Sequence, residues 1–136
     1  MTQVPAWHHV PWNSYNPHAW LINEPQIGPE CWIGPFTVLD GSGGLRIGRG
    51  CHVSAGVQIY SHTTVDRVVT EGRTPTQRAA TVIGDFVHLG AGAIILMGAN
   101  IGSHSYVGAG SVVTQFSTFP EFSSIIGNPA RLRDRG

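Results

Sequence analysis

Apolar residues recur along most of this chain at a spacing of six. From Ile27 the series runs Ile33, Leu39, Ile47, Val53, Ile59, Ile83, Leu89, Ile95, Ile101, Val107, Val113 and Phe119, thirteen anchors that are all apolar. Glycine follows the anchor in seven of the thirteen blocks, and the fifth position of a block is small, as in Cys31, Thr37, Cys51, Ala93, Ala99 and Ser105. An amphipathic helix would repeat at ~3.6 residues and would be weakened by this much glycine. Hairpin sheets would alternate with period two. A period of six, with glycine where the chain turns and small residues packed inside, predicts short strands wound into a solenoid.

Two departures interrupt the frame. Between Leu39 and Ile47 the spacing is eight, so "DGSGGLR" holds two extra residues, expected as a tight glycine-rich bulge. Between Ile59 and Ile83 the spacing is 24, and the in-frame positions are Val65, Glu71 and Gln77. Two of those three do not belong in a core, so a polar excursion is expected at about 64–81. Residues 1–26 show no six-residue frame and carry Trp7, Trp12, Trp20, His8, His9 and His18. A first coil exposes an apolar cross-section and unpaired edges. This segment therefore reads as an aromatic cap, with an aromatic platform for a sugar ring as the alternative. The expected organisation is a single domain with a cap over 1–26, a β-helix over 27–123 and a tail over 124–136.

Composition narrows the chemistry. All eight basic residues are arginine, balanced by eight acids, which argues against general nucleic-acid binding. A chain without lysine supplies neither a phosphate-loop lysine nor a Schiff base. No apolar run approaches the ~20 residues of a membrane span, and no signal peptide is recognisable. Cys31 and Cys51 both occupy the small fifth position and read as buried structural thiols, compatible with a reducing cytoplasm, where the chain is expected to reside.

The stretch "VIGDFVHLGAGAIILMGANIGSHSYVGAGSVVT", followed by "IIGNPARL", resembles the hexapeptide-repeat acyltransferases, most of all their maltose/galactoside and polysaccharide O-acetyltransferase branch. The resemblance implies an all-β, left-handed parallel β-helix, a homotrimer, and transfer of an acetyl group from acetyl-CoA to a hydroxyl, or less readily an amine, of a sugar. In that family the excursion follows a histidine that acts as general base, and His62 in "YSHTT" stands there. An acceptor hydroxyl must lose its proton to attack a thioester, and imidazole titrates in the useful range. The resemblance further implies that coenzyme A runs past Ala91, Ala109 and Thr114, that Arg131 meets a coenzyme phosphate, and that Asp40 and His88 lie on the acceptor side. No metal is expected. Arg67, Arg73 and Arg78 in the excursion would suit an anionic saccharide acceptor.

Two other functions share the repeat. A γ-class carbonic-anhydrase-like protein needs zinc histidines five residues apart; the partner position to His88 is Ala93, leaving His62, His88 and His104 as the available set. A non-catalytic β-helix scaffold would keep the repeat and have no use for His62.

Overall fold

The computed structural model describes residues 10–133 and is an all-β chain wound into a left-handed parallel β-helix. Three walls form a prism. The first stacks Trp20–Ile22, Val38–Asp40, Gln58–Ile59, Ile94–Ile95 and Val112–Val113. The second stacks Gln26–Ile27, Leu45–Ile47, Thr81–Ile83, Asn100–Ile101 and Thr118–Phe119. The third stacks Trp32–Ile33, His52–Val53, His88–Leu89, Tyr106–Val107 and Ser124–Gly127, and Ala130–Leu132 folds back antiparallel on its last strand.

The anchors face inward and pair with one another from coil to coil. On the first wall Leu39 lies in register with Ile59, Ile59 with Ile95 and Ile95 with Val113, and all four are fully buried. Small fifth-position residues fill the corners: Thr37, Cys51, Val57, Val87, Ala93 and Ala99 are buried. The Cys31 thiol donates to the Gly48 carbonyl at 3.0 Å and the Cys51 thiol to the Gly84 carbonyl at 3.1 Å. Burial pushes the Cys51 thiol up to about 11, so it is an inert packing group.

The β-helix extends past the expected limits of 27–123 at both ends. Leu21 stands six residues before Ile27 and pairs with Leu39, while Ile125 stands six after Phe119 and pairs with Val107. Both blocks continue the frame, but irregular turns flank each of them and mask it in the sequence. Before the first coil, Asn13 Oδ1 accepts the N–H groups of Tyr15 and Asn16 at 2.9 and 3.0 Å, and its Nδ2 donates to the Ala19 carbonyl at 2.9 Å. Asn16 Nδ2 in turn donates to the Ile33 carbonyl at 3.2 Å. Of the aromatic residues expected in the cap, Trp20 joins the first wall and Trp12 is 86% exposed. Trp7, His8 and His9 lie outside the described residues.

Both interruptions of the repeat fall at the corner between the first and second walls. The bulge closes with the Gly44 N–H donating to the Gly41 carbonyl at 3.0 Å. One coil later the chain leaves the wall; His62–Thr63 pairs antiparallel with Gln77–Arg78, and a short helix, Val65–Val69, fills the tip. Polar composition alone did not predict that helix. Thr81 returns the chain to the wall. Its fully buried hydroxyl donates to the Tyr60 carbonyl at 2.8 Å and accepts the Gly98 N–H at 3.0 Å, tying the neck of the loop to the next coil. Thr81→Val keeps the shape but leaves these backbone groups without their partner, so a loss of about 1–3 kcal/mol is expected in chemical denaturation. An unchanged denaturation midpoint would show that the neck does not depend on them.

Candidate active site

The bulge and the loop meet. Asp40 ends the second strand of the first wall, and its side chain is fully buried beneath the first residues of the excursion. Asp40 Oδ2 accepts the Ser61 N–H at 2.9 Å, Oδ1 accepts the Ser42 N–H at 2.9 Å, and His62 Nδ1 bonds to Oδ2. Burial tends to raise the Asp40 carboxyl, but the hydrogen bonds from Ser61, His62 and Ser42 outweigh it and hold the group below its ordinary value. A carboxyl lowered in this way stabilises the fold above its unfolded-state pKa, and that contribution is lost as pH falls through the lowered folded value. The neighbouring Tyr60 phenol is raised, first by burial and then by the Asp40 charge.

Ser61 locks the two segments together. Its buried hydroxyl donates to the Asp40 carbonyl at 2.6 Å and accepts the Gly43 N–H at 2.8 Å. Gly43 has no substitute here, because a Cβ on it would stand 2.0 Å from the Ser61 carbonyl oxygen. His62 is therefore held at its root while its side chain stays 32% exposed. An ionised Asp40 accepts from Nδ1–H, which fixes the tautomer and leaves the lone pair on Nε2. No described residue engages Nε2. A buried carboxylate, an oriented imidazole and an open basic nitrogen form a unit able to take a proton from a hydroxyl.

Asp40 was expected to meet an acceptor. In the structure its carboxylate is fully buried, with both oxygens engaged inside the protein by Ser61, Ser42 and His62. Coil arithmetic carries the signal for this placement, since Leu39 and Ile59 are in register and place Asp40 beside Tyr60, two residues from the histidine.

The remaining candidate residues lie elsewhere on the prism. Ala91 and Ala109 are exposed at the corner between the third and first walls, one coil apart, with the Gly110 N–H donating to the Ala91 carbonyl at 2.9 Å. Beside them, a Cβ on Gly92 or Gly110 would meet nothing within 4 Å, so this corner is an unobstructed strip. Thr114 follows Val113 on the first wall, its hydroxyl 2.9 Å from that of Ser117. Arg131 is exposed on the closing strand, opposite Ile126. His88 is exposed on the third wall, its ring 6.3 Å from that of His52. The width of the first wall separates His62 from Ala91 and Ala109, and the second wall separates it from His88. One chain does not unite them. Nor do His62, His88 and His104 converge: they occupy one corner, the third wall and a stack between Phe86 and Phe122 at the opposite corner. Among the described residues no group of three metal-ligating side chains is assembled.

Comparison with known proteins agrees with this architecture. Residues 80–115 match the family model of the bacterial transferase hexapeptide (six repeats), and residues 26–61 match that of the hexapeptide repeat of succinyl-transferase. A serine acetyltransferase of Buchnera aphidicola (subsp. Acyrthosiphon pisum) is 33% identical over 109 residues, covering 78% of this chain and 37% of its own length. The chain thus spans well under half of that relative. A maltose O-acetyltransferase structure from Clostridium difficile 630 superposes with a TM-score of 0.66 at 24% identity, over 85% of this chain and 65% of that one. A mutant of AntD, an N-acyltransferase from Bacillus cereus in complex with dTDP and coenzyme A, gives a TM-score of 0.73 at 20% identity, over 88% of this chain and 70% of that one. With anchors, corners and register in agreement with these matches, the chain belongs to the hexapeptide-repeat acyltransferase family.

Proposed function

We propose that this protein transfers an acetyl group from acetyl-CoA to a hydroxyl of a sugar, with His62 as general base. The Asp40–His62 pair carries the reading, because a scaffold needs neither a buried carboxylate under an imidazole nor a free Nε2. Acetyl-CoA supplies an activated thioester. His62 Nε2 takes the proton of the attacking hydroxyl and returns it to the departing thiolate, while Asp40 holds Nδ1–H and balances the transient imidazolium. The open strip beside Ala91 and Ala109 fits a thin pantetheine arm, and exposed Arg131 is available to a coenzyme phosphate. A cytoplasmic location, where acetyl-CoA is available, goes with this reading.

The active unit is a homotrimer in this proposal. The outward positions of the first wall are mostly apolar, Trp20, Ile22, Val38, Ile94, Leu96 and Val112, with Gln58 and Tyr60 in the middle coil, and the loop tip adds Val65, Val68 and Val69, exposed by 60, 69 and 71%. Turning three first walls toward a common axis covers those wall positions. It also sets the corner of His62 in one chain beside the corner of Ala91 and Ala109 in the next. Serine is the competing acceptor, favoured by the 33% identity to a serine acetyltransferase. Thiol release from acetyl-CoA with sugars, nucleotide sugars and serine offered in parallel decides between them.

His62→Ala should lower turnover by ~10²–10⁴-fold with coenzyme A affinity little changed. Asp40→Asn should also lower turnover and alter the pH–rate profile, because it disturbs the orientation and charge of His62 without removing the imidazole. Full turnover in His62→Ala would exclude the base.

Arg131→Ala should raise the Michaelis constant for acetyl-CoA more than it lowers turnover. Equal use of acetyl-CoA and a phosphate-free pantetheine thioester by the wild type would rule that contact out.

Co-refolding inactive His62→Ala with inactive Ala109→Trp tests the shared site. Random equal mixing should restore about one quarter of the sites if His62 and Ala109 come from different chains. Subunit exchange confirmed by mass spectrometry, with no recovered activity, would place both residues in one chain.

A further inference from the structure

The outer face of the third wall carries a column of rings, of which only His88 was named among the expected site residues. Trp32, His52 and His88 occupy the same outward position in three successive coils, with Trp32 in register with His52 and His52 with His88. Their ring centroids follow one another at 6.1 and 6.3 Å. Both imidazoles are exposed, and the Trp32 residue is 51% exposed. That indole does not stand off the wall. A Cβ on Gly34 would lie 3.0 Å from Trp32 Cη2, so the six-membered ring reaches across the wall over a residue with no side chain to lift it. The positions two residues on from the rings are small, Gly34, Ser54 and Gly90, and Tyr106 follows His88 in register in the next coil.

The geometry points to this column as a binding platform for the pyranose rings of a neutral saccharide. A half-exposed aromatic ring held close to the backbone is suited to the apolar C–H face of a sugar, and imidazole nitrogens beside it, tilted by 49° to the indole at His52, can donate to or accept from hydroxyls. Neighbouring coils are ~4.8 Å apart and the ring centroids 6.1 and 6.3 Å, spacings that bracket the length one pyranose occupies in an extended glycan, so successive rings can meet successive sugar units. No charged residue shares the outward positions of Trp32, His52 and His88 or of Gly34, Ser54 and Gly90, which favours an uncharged ligand over a phosphate-bearing one.

The position also fits the acceptor side of the proposed reaction, and to that extent the inference rests on the acyl-transfer reading. Ala91 and Ala109 lie at the corners that close the coil of His62 and the coil after it, whereas Trp32 and His52 lie in the two coils before, and His88 shares the coil of His62. Donor and acceptor would then approach along the axis from opposite ends and meet at the level of the base.

Titration calorimetry of the full chain with cellotriose, maltotriose and chitotriose, with and without coenzyme A, tests the platform. At least one trisaccharide should bind at ~1 mM or tighter. Trp32→Ala should weaken that binding roughly three- to tenfold, the range of an aromatic face contact, while Trp32→Phe retains most of it. Coenzyme A affinity should not move in either variant. Trisaccharide binding through Trp32 without coenzyme A binding would keep the platform and remove the acyl-transfer reading. Coenzyme A binding with no trisaccharide binding, or with equal trisaccharide binding by wild type and Trp32→Ala, overturns the platform and leaves the acyl-transfer reading standing.

Discussion

The ladder of backbone hydrogen bonds between coils governs everything else in this molecule. Strands here are two to four residues long, and on the walls each finds its partner in the coil before or after, apart from the closing strand Ala130–Leu132, which folds back on its chain neighbour. Every N–H and C=O on a wall is therefore committed along the prism axis. A residue added within a wall would shift all later coils out of register and turn core side chains outward. Extra chain is tolerated only at corners. Both insertions in this protein obey that limit, and both use the same corner in consecutive coils, which is why a two-residue bulge comes to lie under an eighteen-residue loop. The Asp40–His62 pair results from this coincidence.

Turning the chain at each corner requires a residue in left-handed conformation, a cost of roughly 1–2 kcal/mol for anything but glycine. Glycine holds the position at Gly50, Gly56, Gly92, Gly98 and Gly110, but Phe36, Phe86, His104, Phe116 and Phe122 hold it elsewhere with φ between 53 and 60°. The exposed rings recover part of that cost by stacking along the corner. Phe86 and His104 are 5.5 Å apart, and His104 and Phe122 are 4.9 Å apart and nearly parallel. Phe86 covers Gly50 and Phe116 covers Gly98, where a Cβ would stand 2.4 and 2.3 Å from the ring. Glycine at one level makes room for phenylalanine at the next. Corner identity is thus a property of neighbouring coils together, and a single block does not reveal it.

That distinction explains how much the sequence disclosed. Anchors such as Leu39, Ile59 and Ile95 repeat a local rule, so the walls, the core and the position of the excursion were legible from spacing alone. The outer blocks at Leu21 and Ile125 obeyed the same rule but were flanked by the Asn13–Ala19 turns and the "GNPA" turn, where the rule stops. His62 was legible as the residue at the break. The burial of Asp40 against His62 was not, because it depends on a pairing across coils and on the Ser61 and Gly43 contacts that bring bulge and loop together. An acid in a glycine-rich turn looks exposed until the segment that buries it is placed on top. The close approach of the Trp32 indole to the wall was hidden for the same reason, since it depends on the absence of a side chain at Gly34 and on the coil of His52 beside it.

A wall made of two-residue strands is flat, and flatness conflicts with catalysis, which needs two substrates held together and water kept out. The chain relieves this conflict only in part. Its loop lifts His62 off one corner, its glycines clear a strip at another, and its aromatic column roughens the wall between the strip and the corner opposite the first wall. None of these faces another within the chain. In the proposed homotrimer the first wall supplies the missing element, because covering it with two further copies removes its apolar positions from water, and the same step folds unlike corners against each other. On this view oligomerisation is how a prism without a cleft acquires one, and burial of Val38, Ile94 and Val112 would drive assembly and site formation as a single event.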